Sequence, residues 1–512
     1  MPAFAGIIKI KIIIKEQLKM KRKLIALFLV TFFLVTTAIC ANAEIILDFD
    51  VENDARAVLA ETTETYFEGL GTKEQPYIIS TPQHLVNLST LVNSGDETYS
   101  SAYYILANDI DMTGIDFVSI GGTMAIKTVS ETTQKYVINH FGGNFNGNGY
   151  AIRNVNITAP LYKYVGFFGY GQNASVDNLR LENISISCEN QQALYAGALF
   201  GVYDGMGNDA DLHIKNCYVD GAISVESTKK LCAGGLIGYN RVKYNTAIIE
   251  DCYTDVDIQA GSKVMVYAGG FIAEIESGAD ISKCVIVGTI NTTTNKNLNI
   301  GGVAGYAANN DWLVSDYNEW VGLTESIVTV TASEEASLQS ETTYVTISKV
   351  VSSVDFAETG KVSNVIAYVD SDSTITVEDC YYDLQYKVTD TLGALGGVGK
   401  TNSELFSKAF LSGTIGLDFA RTWKKTGGVL DLASYSISYS LSGDIVNVTL
   451  DGVESATVFA IPYSGGRIGT TKVVPYTGET VPVSFAGVEY DYIVLMALDS
   501  GLSSLCESVI ID

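Results

Sequence analysis

Residues Ala233-Gly234-Gly235-Leu236-Ile237-Gly238 are one version of a phrase that recurs along the chain. Val165-Gly-Phe-Phe-Gly169, Ala196-Gly-Ala-Leu-Phe-Gly201, Ala268-Gly-Gly-Phe-Ile-Ala273 and Ile300-Gly-Gly-Val-Ala-Gly305 are the others, and their last residues lie 32, 37, 35 and 32 positions apart. A second repeat runs in phase with it. Ile-Lys-Asn-Cys217, Ile-Glu-Asp-Cys252, Ile-Ser-Lys-Cys284 and Val-Glu-Asp-Cys380 are spaced by 35, 32 and 96, the last being three periods of 32. Self-similarity at such a period marks a solenoid, in which each unit buries its apolar face only by stacking on its neighbours. The units lack helical periodicity and are rich in β-branched, aromatic and glycine residues, so each is a coil of β-strands. Paired glycines permit close backbone approach at a bend, and Asn or Asp before the cysteine tolerates a positive φ. The expected fold is all-β: a right-handed parallel β-helix with coils about 4.8 Å apart.

The phrase Gly-Gly-Leu-Ile-Gly resembles the GLUG motif of bacterial surface proteins. The upstream text is similar to the opening of such domains: Gly69-Leu-Gly-Thr72, Pro76-Tyr-Ile-Ile-Ser80, His84-Leu-Val-Asn-Leu88, Leu91-Val-Asn-Ser-Gly95, Tyr104-Ile-Leu-Ala-Asn-Asp-Ile-Asp-Met112 and Phe145-Asn-Gly-Asn-Gly149. The ending resembles the family too, in Cys380-Tyr-Tyr-Asp383, Gly399-Lys-Thr401, Glu404-Leu405 and Trp423. The resemblance covers residues 66–431 and implies a surface or secreted, adhesin-like β-helix. Ala273 departs from it in place of a final glycine, and residues 306–376, with Trp312 and Trp320, form an irregular insertion without a clear repeat.

From Ser434 the text alternates apolar and polar residues, with turn signals at Ser442-Gly443 and Asp451-Gly452. Residues 434–512 therefore read as a separate small antiparallel β-sandwich, joined near Gly427-Gly428. It resembles the terminal β-domains of exported clostridial proteins. At the other end, Met20-Lys-Arg-Lys23, the apolar run Leu24–Val35 and Ala41-Asn-Ala43 have the order of a cleaved signal peptide, 1–43, with Met20 an alternative start. A membrane anchor is the competing reading of the same run. Residues 44–65 follow as a linker. The expected address is extracellular or cell-surface, with no sortase signal and no clear lipid anchor, and with no membrane insertion after cleavage.

The chain has 512 residues and a formal net charge of −26. Phosphate backbones repel such a surface, so nucleic acid is excluded as a main partner. Seven cysteines follow the leader: 188, 217, 232, 252, 284, 380 and 506. An odd, dispersed set without C-x-x-C reads as buried, reduced residues in an interior ladder rather than a disulfide framework or zinc site. The three histidines, His84, His140 and His213, do not form the His-Glu-x-x-His helix of metallopeptidases that carry this kind of β-helix, such as IgA-specific ones.

Candidate carboxylates are Asp109 with Asp111, where turn hydrogen bonds explain the acids, and Asp204 with Asp209 and Asp211, in a glycine-rich loop that is either solvated or a calcium site. Gly143-Asn-Phe-Asn-Gly-Asn-Gly149 lacks the Lys-Ser/Thr of a phosphate loop and reads as a coil corner. Asn156, Asn183 and Asn291 stand in Asn-x-Ser/Thr triplets. No catalytic, cofactor-binding or metal residue is expected. The leading reading is a non-enzymatic binder of a glycan or protein, displaying the 203–211 loop and the 306–376 region on a rigid shaft. A polysaccharide-active enzyme with an unrecognised carboxylate site and a structural spacer are the alternatives.

Overall fold

The computed structural model describes residues 66–511 apart from 131–132, 160–161, 207–211, 244–245, 294–296, 309–343, 357–360, 371–374, 387, 389–396, 420–421, 427–428, 433–435, 452, 454–455, 466 and 499–508. In the N-terminal unit, 1–65, it describes Ile8–Lys9 and Ile45–Ile46, which pair in parallel; the signal peptide and linker otherwise lie outside the described residues.

The described strands between 77 and 400 build a parallel β-helix. Each full coil has four strands, as in Ala247–Glu250, Tyr253–Ser262, Met265–Gly269 and Ile272–Ser277, before Ala279–Ser282 starts the next. Corresponding strands stack into four parallel sheets, here numbered first to fourth in coil order, with nine, ten, six and six strands. Residue 249 stands opposite 281 and residue 258 opposite 290, so equivalent side chains form ladders along the axis. Inward rows such as Ile214, Ile249, Ile281 and Ile347 fill a continuous core, each side chain fully buried. Complete burial of an Ile, Val or Phe contributes about 1.5–3 kcal/mol, and none of it is available to an isolated coil.

The turn from first to second sheet explains the Cys tetrapeptide. Asn178, Asn216, Asp251, Lys283, Lys349 and Asp379 all adopt φ between 49° and 54° there. Asn and Asp tolerate this left-handed region better than other non-glycine residues. The Asn216 amide donates to Asn178 Oδ1 at 2.7 Å, and Asn178 to Asn146 Oδ1 at 3.1 Å, linking three coils. Lys283 has no such local compensation, but its ammonium reaches Glu250 Oε1 at 2.6 Å. The next residue points into the core: Cys217, Cys252 and Cys284 are fully buried and unbridged, on successive coils.

Between Cys284 and Cys380 one further coil is placed, with Val350 in the cysteine position, and not the two that three periods imply. Residues 309–343, with Trp312 and Trp320, lie outside the described residues, whereas Val345–Ser348 through Ile366–Val369 are regular coil rather than irregular insertion. The interior ladder also does not hold every cysteine. Cys232 faces outward from the third sheet, in an alternation that sends its neighbours Leu231 and Ala233 to the core. Cys506 lies outside the described residues.

The glycine phrase spans the corner between third and fourth sheets. A Cβ at Gly238 would lie 2.6 Å from Gly201 O and 2.7 Å from Ala196 N, so the corner closes only on a minimal side chain. Ala273 occupies the same register position one coil on, packed in a cluster outside the core.

A helix, Pro82–Asn93, precedes the regular coils. Thr81 Oγ1 accepts from His84 N at its start, Pro82 stands in the first turn, and Leu85, Leu88 and Val92 enter the solenoid core. At the other end the coil path stops at Val398–Lys400, short of 431. Residues 402–432 instead run as short helices and a hairpin against the outward start of the second sheet, burying Leu405, Leu411, Ile415, Trp423 and Leu430 with Tyr253, Val285 and Val351. Two antiparallel sheets between 436 and 511 then enclose their own core, which includes Val448, Val458, Phe485 and Leu495.

Candidate functional site

Of the carboxylates flagged in the sequence, the three among the described residues, Asp109, Asp111 and Asp204, each have a structural occupation. Asp109 accepts from Ala151 N at 2.9 Å and from Arg153 at 2.7 Å; despite partial burial these bonds hold it below the usual carboxylate range. Asp111 accepts from Thr113 N and Oγ1 and from Asn154, which likewise lowers it. Asp204 is not on a loop. It lies in the strand Phe200–Met206, fully buried, 2.7 Å from Arg241 Nη2, and accepts also from Tyr170 Oη at 2.6 Å and Gln172 at 3.1 Å. The residue alternation of that strand makes 203–206 part of a sheet, which corrects the loop expected at 203–211; Asp209 and Asp211 lie outside the described residues.

The histidines are dispersed: His84 Nδ1 accepts from Ser80 N, His140 Nδ1 lies 3.2 Å from Ile138 O, and His213 meets Asp177 at 2.8 Å. Asn144–Asn146 is a strand and Asn148 and Gly149 take positive φ, so 143–149 is a corner. Asn156 and Asn183 are tied to Asp116 and Asn154, and Asn291 is half-buried in the second sheet. Among the described residues no group of three His, Cys, Asp or Glu gathers to hold a metal ion.

The chemistry collects elsewhere, at the closed corner of the glycine phrase. The outward faces of the third and fourth sheets pack against each other there, in a cluster separate from the interior core. One wall carries the row Tyr164, Tyr195, Cys232, Tyr267 and Asn299; the other carries Tyr170, Val202, Tyr239, Glu274, Tyr306 and Tyr368. Rings meet across the corner one coil out of step: Tyr195 stacks on Tyr239 at 5.3 Å and Tyr267 on Tyr306 at 5.0 Å, and Tyr306 stacks on Tyr368 at 5.8 Å along its own row.

The array changes character along its length. At its N-terminal end Tyr164, Tyr170, Tyr195 and Tyr239 are buried against each other. Further on, Tyr267, Tyr306 and Tyr368 are half-buried and reach solvent. Between the two regions Lys230 Nζ lies 2.7 Å from the Glu274 carboxylate and 5.1 Å from the Tyr267 ring centre. Cys232 Sγ donates to Glu274 at 3.1 Å; burial first, then that carboxylate, hold the thiol well above its usual range, so it remains protonated. A protonated, fully buried thiol is a poor nucleophile. Asn299 is only 8% exposed, and its amide makes no hydrogen bond to another described residue. Tyr306 Oη donates to Asp370 at 3.2 Å beside it.

The sequence reading missed these residues. Their signal is the pair of positions flanking the phrase, Tyr-Ala-Gly before it and Gly-Tyr after it, whose side chains alternate outward while the phrase itself supplies the corner. Such arrays of hydroxyl, amide and carboxylate groups beside aromatic rings suit a polyhydroxylated ligand.

No protein-family model matches the chain. A putative Gly-rich membrane protein of Evansella cellulosilytica is 34% identical over 147 residues, 28% of this chain and 15% of that protein. Halomucin of Haloquadratum walsbyi is 26% identical over 225 residues, 44% of this chain and 2% of that protein. Among solved structures, an IgA1 protease superposes with a TM-score of 0.34 at 18% identity, covering 64% of this chain and 22% of that one. The chain thus spans a small fraction of the length of the relatives it matches. Among the described residues no helix is long and apolar enough to cross a membrane.

Proposed function

We propose that this is a non-enzymatic, adhesin-like protein of the extracellular or cell-surface space, of the GLUG-bearing kind, whose β-helix holds a binding cleft for a glycan. The observation that carries the reading is the half-open row Tyr267, Tyr306 and Tyr368 beside Asn299 between the third and fourth sheets. Parallel coils fix these groups at strand spacing, so the face is organised before any ligand arrives and little ordering entropy is lost on binding. The leader-like N-terminus and relatives named as a membrane protein and a halomucin support the surface address. Among the described residues the candidate acids Asp109, Asp111 and Asp204 are engaged with Arg153, Thr113, Asn154 and Arg241, which supports binding over hydrolysis.

The test is a glycan-array and calorimetric screen of the chain from Glu44 onward, beside Asn299→Ala and Tyr306→Ala variants, with reducing-sugar release assayed in parallel. Binding lost at least tenfold in both variants, without sugar release, supports the reading. Release that stops when a pair of acids is neutralised overturns it in favour of an enzyme, and binding restricted to a protein ligand overturns the glycan assignment.

A further inference from the structure

The C-terminal domain carries an apolar face that its own core does not use. In the strands Ala456–Ser464 and Tyr492–Leu498 of its five-stranded sheet, alternate residues point inward, among them Val458, Ala460, Ile493 and Leu495. The residues between them point the other way. Pairing across the strands sets Val473, Phe459 and Met496 in one outward row, and Ile461, Val494 and Ile510 in the next. Tyr463 and Tyr492 extend the face, their rings stacked at 4.8 Å. Val473 and Ile510 are 54% and 60% exposed, and the other six are half-buried. A solvated antiparallel sheet ordinarily turns polar residues outward. The three-stranded sheet of the same domain does so, with Ser438, Ser440, Asn447, Thr449 and Ser484 on its outer face and only Ile445 and Pro482 among them. The departure belongs to one sheet, and a contiguous apolar patch of this kind marks an interaction surface.

We infer that this face pairs with the same face of a second copy, so that two five-stranded sheets stack about a two-fold axis. The sheet already packs an apolar sheet against its inner side, and two copies repeat that aligned packing, about 10 Å apart, on the outer side. A two-fold contact sets like against like, and the two rows hold no charged side chain, so burial strands no ion on either copy. The area fits. Each strand residue covers about 16 Å², so the sheet presents roughly 400 Å² per copy. Projecting side chains bury more accessible surface than their footprint, which brings two copies to about 1,000 Å², the lower end for a specific interface. A contact of that size is weak and reversible. Salt gives it a signature: residues 436–512 hold nine Asp and Glu against two Lys and Arg, so the rims of two copies repel and screening strengthens the pair. A basic partner on the same face would be weakened by salt. The pairing involves no residue of the tyrosine array and stands apart from the glycan reading.

The test is sedimentation equilibrium of the chain from Glu44 onward, between roughly 1 μM and 1 mM, where weak pairs are half formed. It is run at low and high salt on the unaltered protein and on Val494→Lys, Val494→Thr and Ser440→Lys. The unaltered protein and Ser440→Lys should pass reversibly from monomer to dimer with equal constants, tighter at high salt. Val494→Lys should weaken pairing at least about tenfold, because the charge enters the middle of the contact twice. Val494→Thr keeps the branched shape that suits a strand and should weaken pairing about threefold or more. Circular dichroism and the thermal midpoint establish that each variant is folded; if Val494→Lys is not, Val494→Thr decides. A monomer at every concentration overturns the inference, as does pairing that salt weakens or that the folded Val494 variants leave unchanged. Flotation with neutral phosphatidylcholine vesicles is run alongside. Vesicle binding that Val494→Lys abolishes, without self-association, gives the face to a lipid surface and overturns the dimer.

Discussion

Arg241 is the side chain on which a quantitative test of the cleft's closed end turns. Arg241→Met removes the cation that lies 2.7 Å from Asp204 and keeps most of the apolar stem. The paired side chains are 4% and 0% exposed, so water cannot replace the guanidinium. The stranded carboxylate retains Tyr170 Oη and the Gln172 amide as donors, which offset part of the loss. Breaking one partner of such a buried pair costs about 3–5 kcal/mol. With an unfolding entropy of about 2 cal/mol/K per residue over a cooperative unit of roughly 300 residues, the thermal midpoint should fall by about 5–8 °C. Asp204→Asn in the same background converts the orphaned charge to a neutral amide and should restore more than half of the loss, giving a coupling of about 2 kcal/mol or more in a double-mutant cycle. Urea and thermal unfolding followed by circular dichroism measure both. A single-variant cost below about 1 kcal/mol, or a double variant no better than Arg241→Met, would mean that Asp204 is solvated and that the strand register of 200–206 is wrong.

Further outcomes are expected from the coil interior and its edges. Cys217, Cys252 and Cys284 should not react with a thiol reagent in the folded protein and should titrate as three free thiols after denaturation; a disulfide between any two contradicts their inward stacking. Gly238→Ala places a methyl against Ala196 and Gly201 backbone atoms and should cost about 1–3 kcal/mol in chemical unfolding. Burial, then Asp257 and Asp220, raise Asp255 above its ordinary value of 3.8, so its ionised form is disfavoured in the fold. Asp255→Asn should therefore stabilise the protein at pH 7, with the gain fading as pH falls through the raised folded-state value and absent below about 4, where the acid is protonated whether folded or not. Trp423→Phe deletes the indole bond to Asp251 Oδ1 at 3.0 Å, and trypsin should then cleave at Lys424 or Lys425 before cutting the coils.

The solenoid was legible because two phrases repeat in phase: the glycine corner tolerates little else, and the left-handed turn before Cys217, Cys252 and Cys380 favours Asn or Asp. The coil at 345–369 was hidden for the same physical reason read backwards. Its interior asks only for a small apolar side chain, which Val350 supplies, and its corner has drifted to Val362-Ser-Asn-Val-Ile-Ala367 without a glycine. Lys349 in a left-handed turn is not something propensity suggests. The helix at 82–93 was written in Thr81-Pro82 and in the spacing of Leu85, Leu88 and Val92, but the surrounding β pattern obscured it. The cleft was the least legible part. Whether a tyrosine beside the phrase packs or binds depends on which residue the next coil sets against it. That partner is thirty or more positions away, and no local pattern shows that Tyr195 is sealed by Tyr239 while Tyr267 and Tyr306 stay half-open.

The segment 402–432 changes what kind of object the solenoid is. A stack whose coils touch only their neighbours can melt from either end or open in the middle, one coil at a time. Here Arg180 Nη1 holds Asp431 at 2.8 Å, Trp423 holds Asp251, and apolar residues of the same segment cover Tyr253, Val285 and Val351 on consecutive coils. A tie running across the rungs makes the loss of one rung a matter for all of them. Tension drawn through the C-terminal domain would reach this tie before any individual coil, so the cleft would keep its spacing under load until the tie itself peeled away.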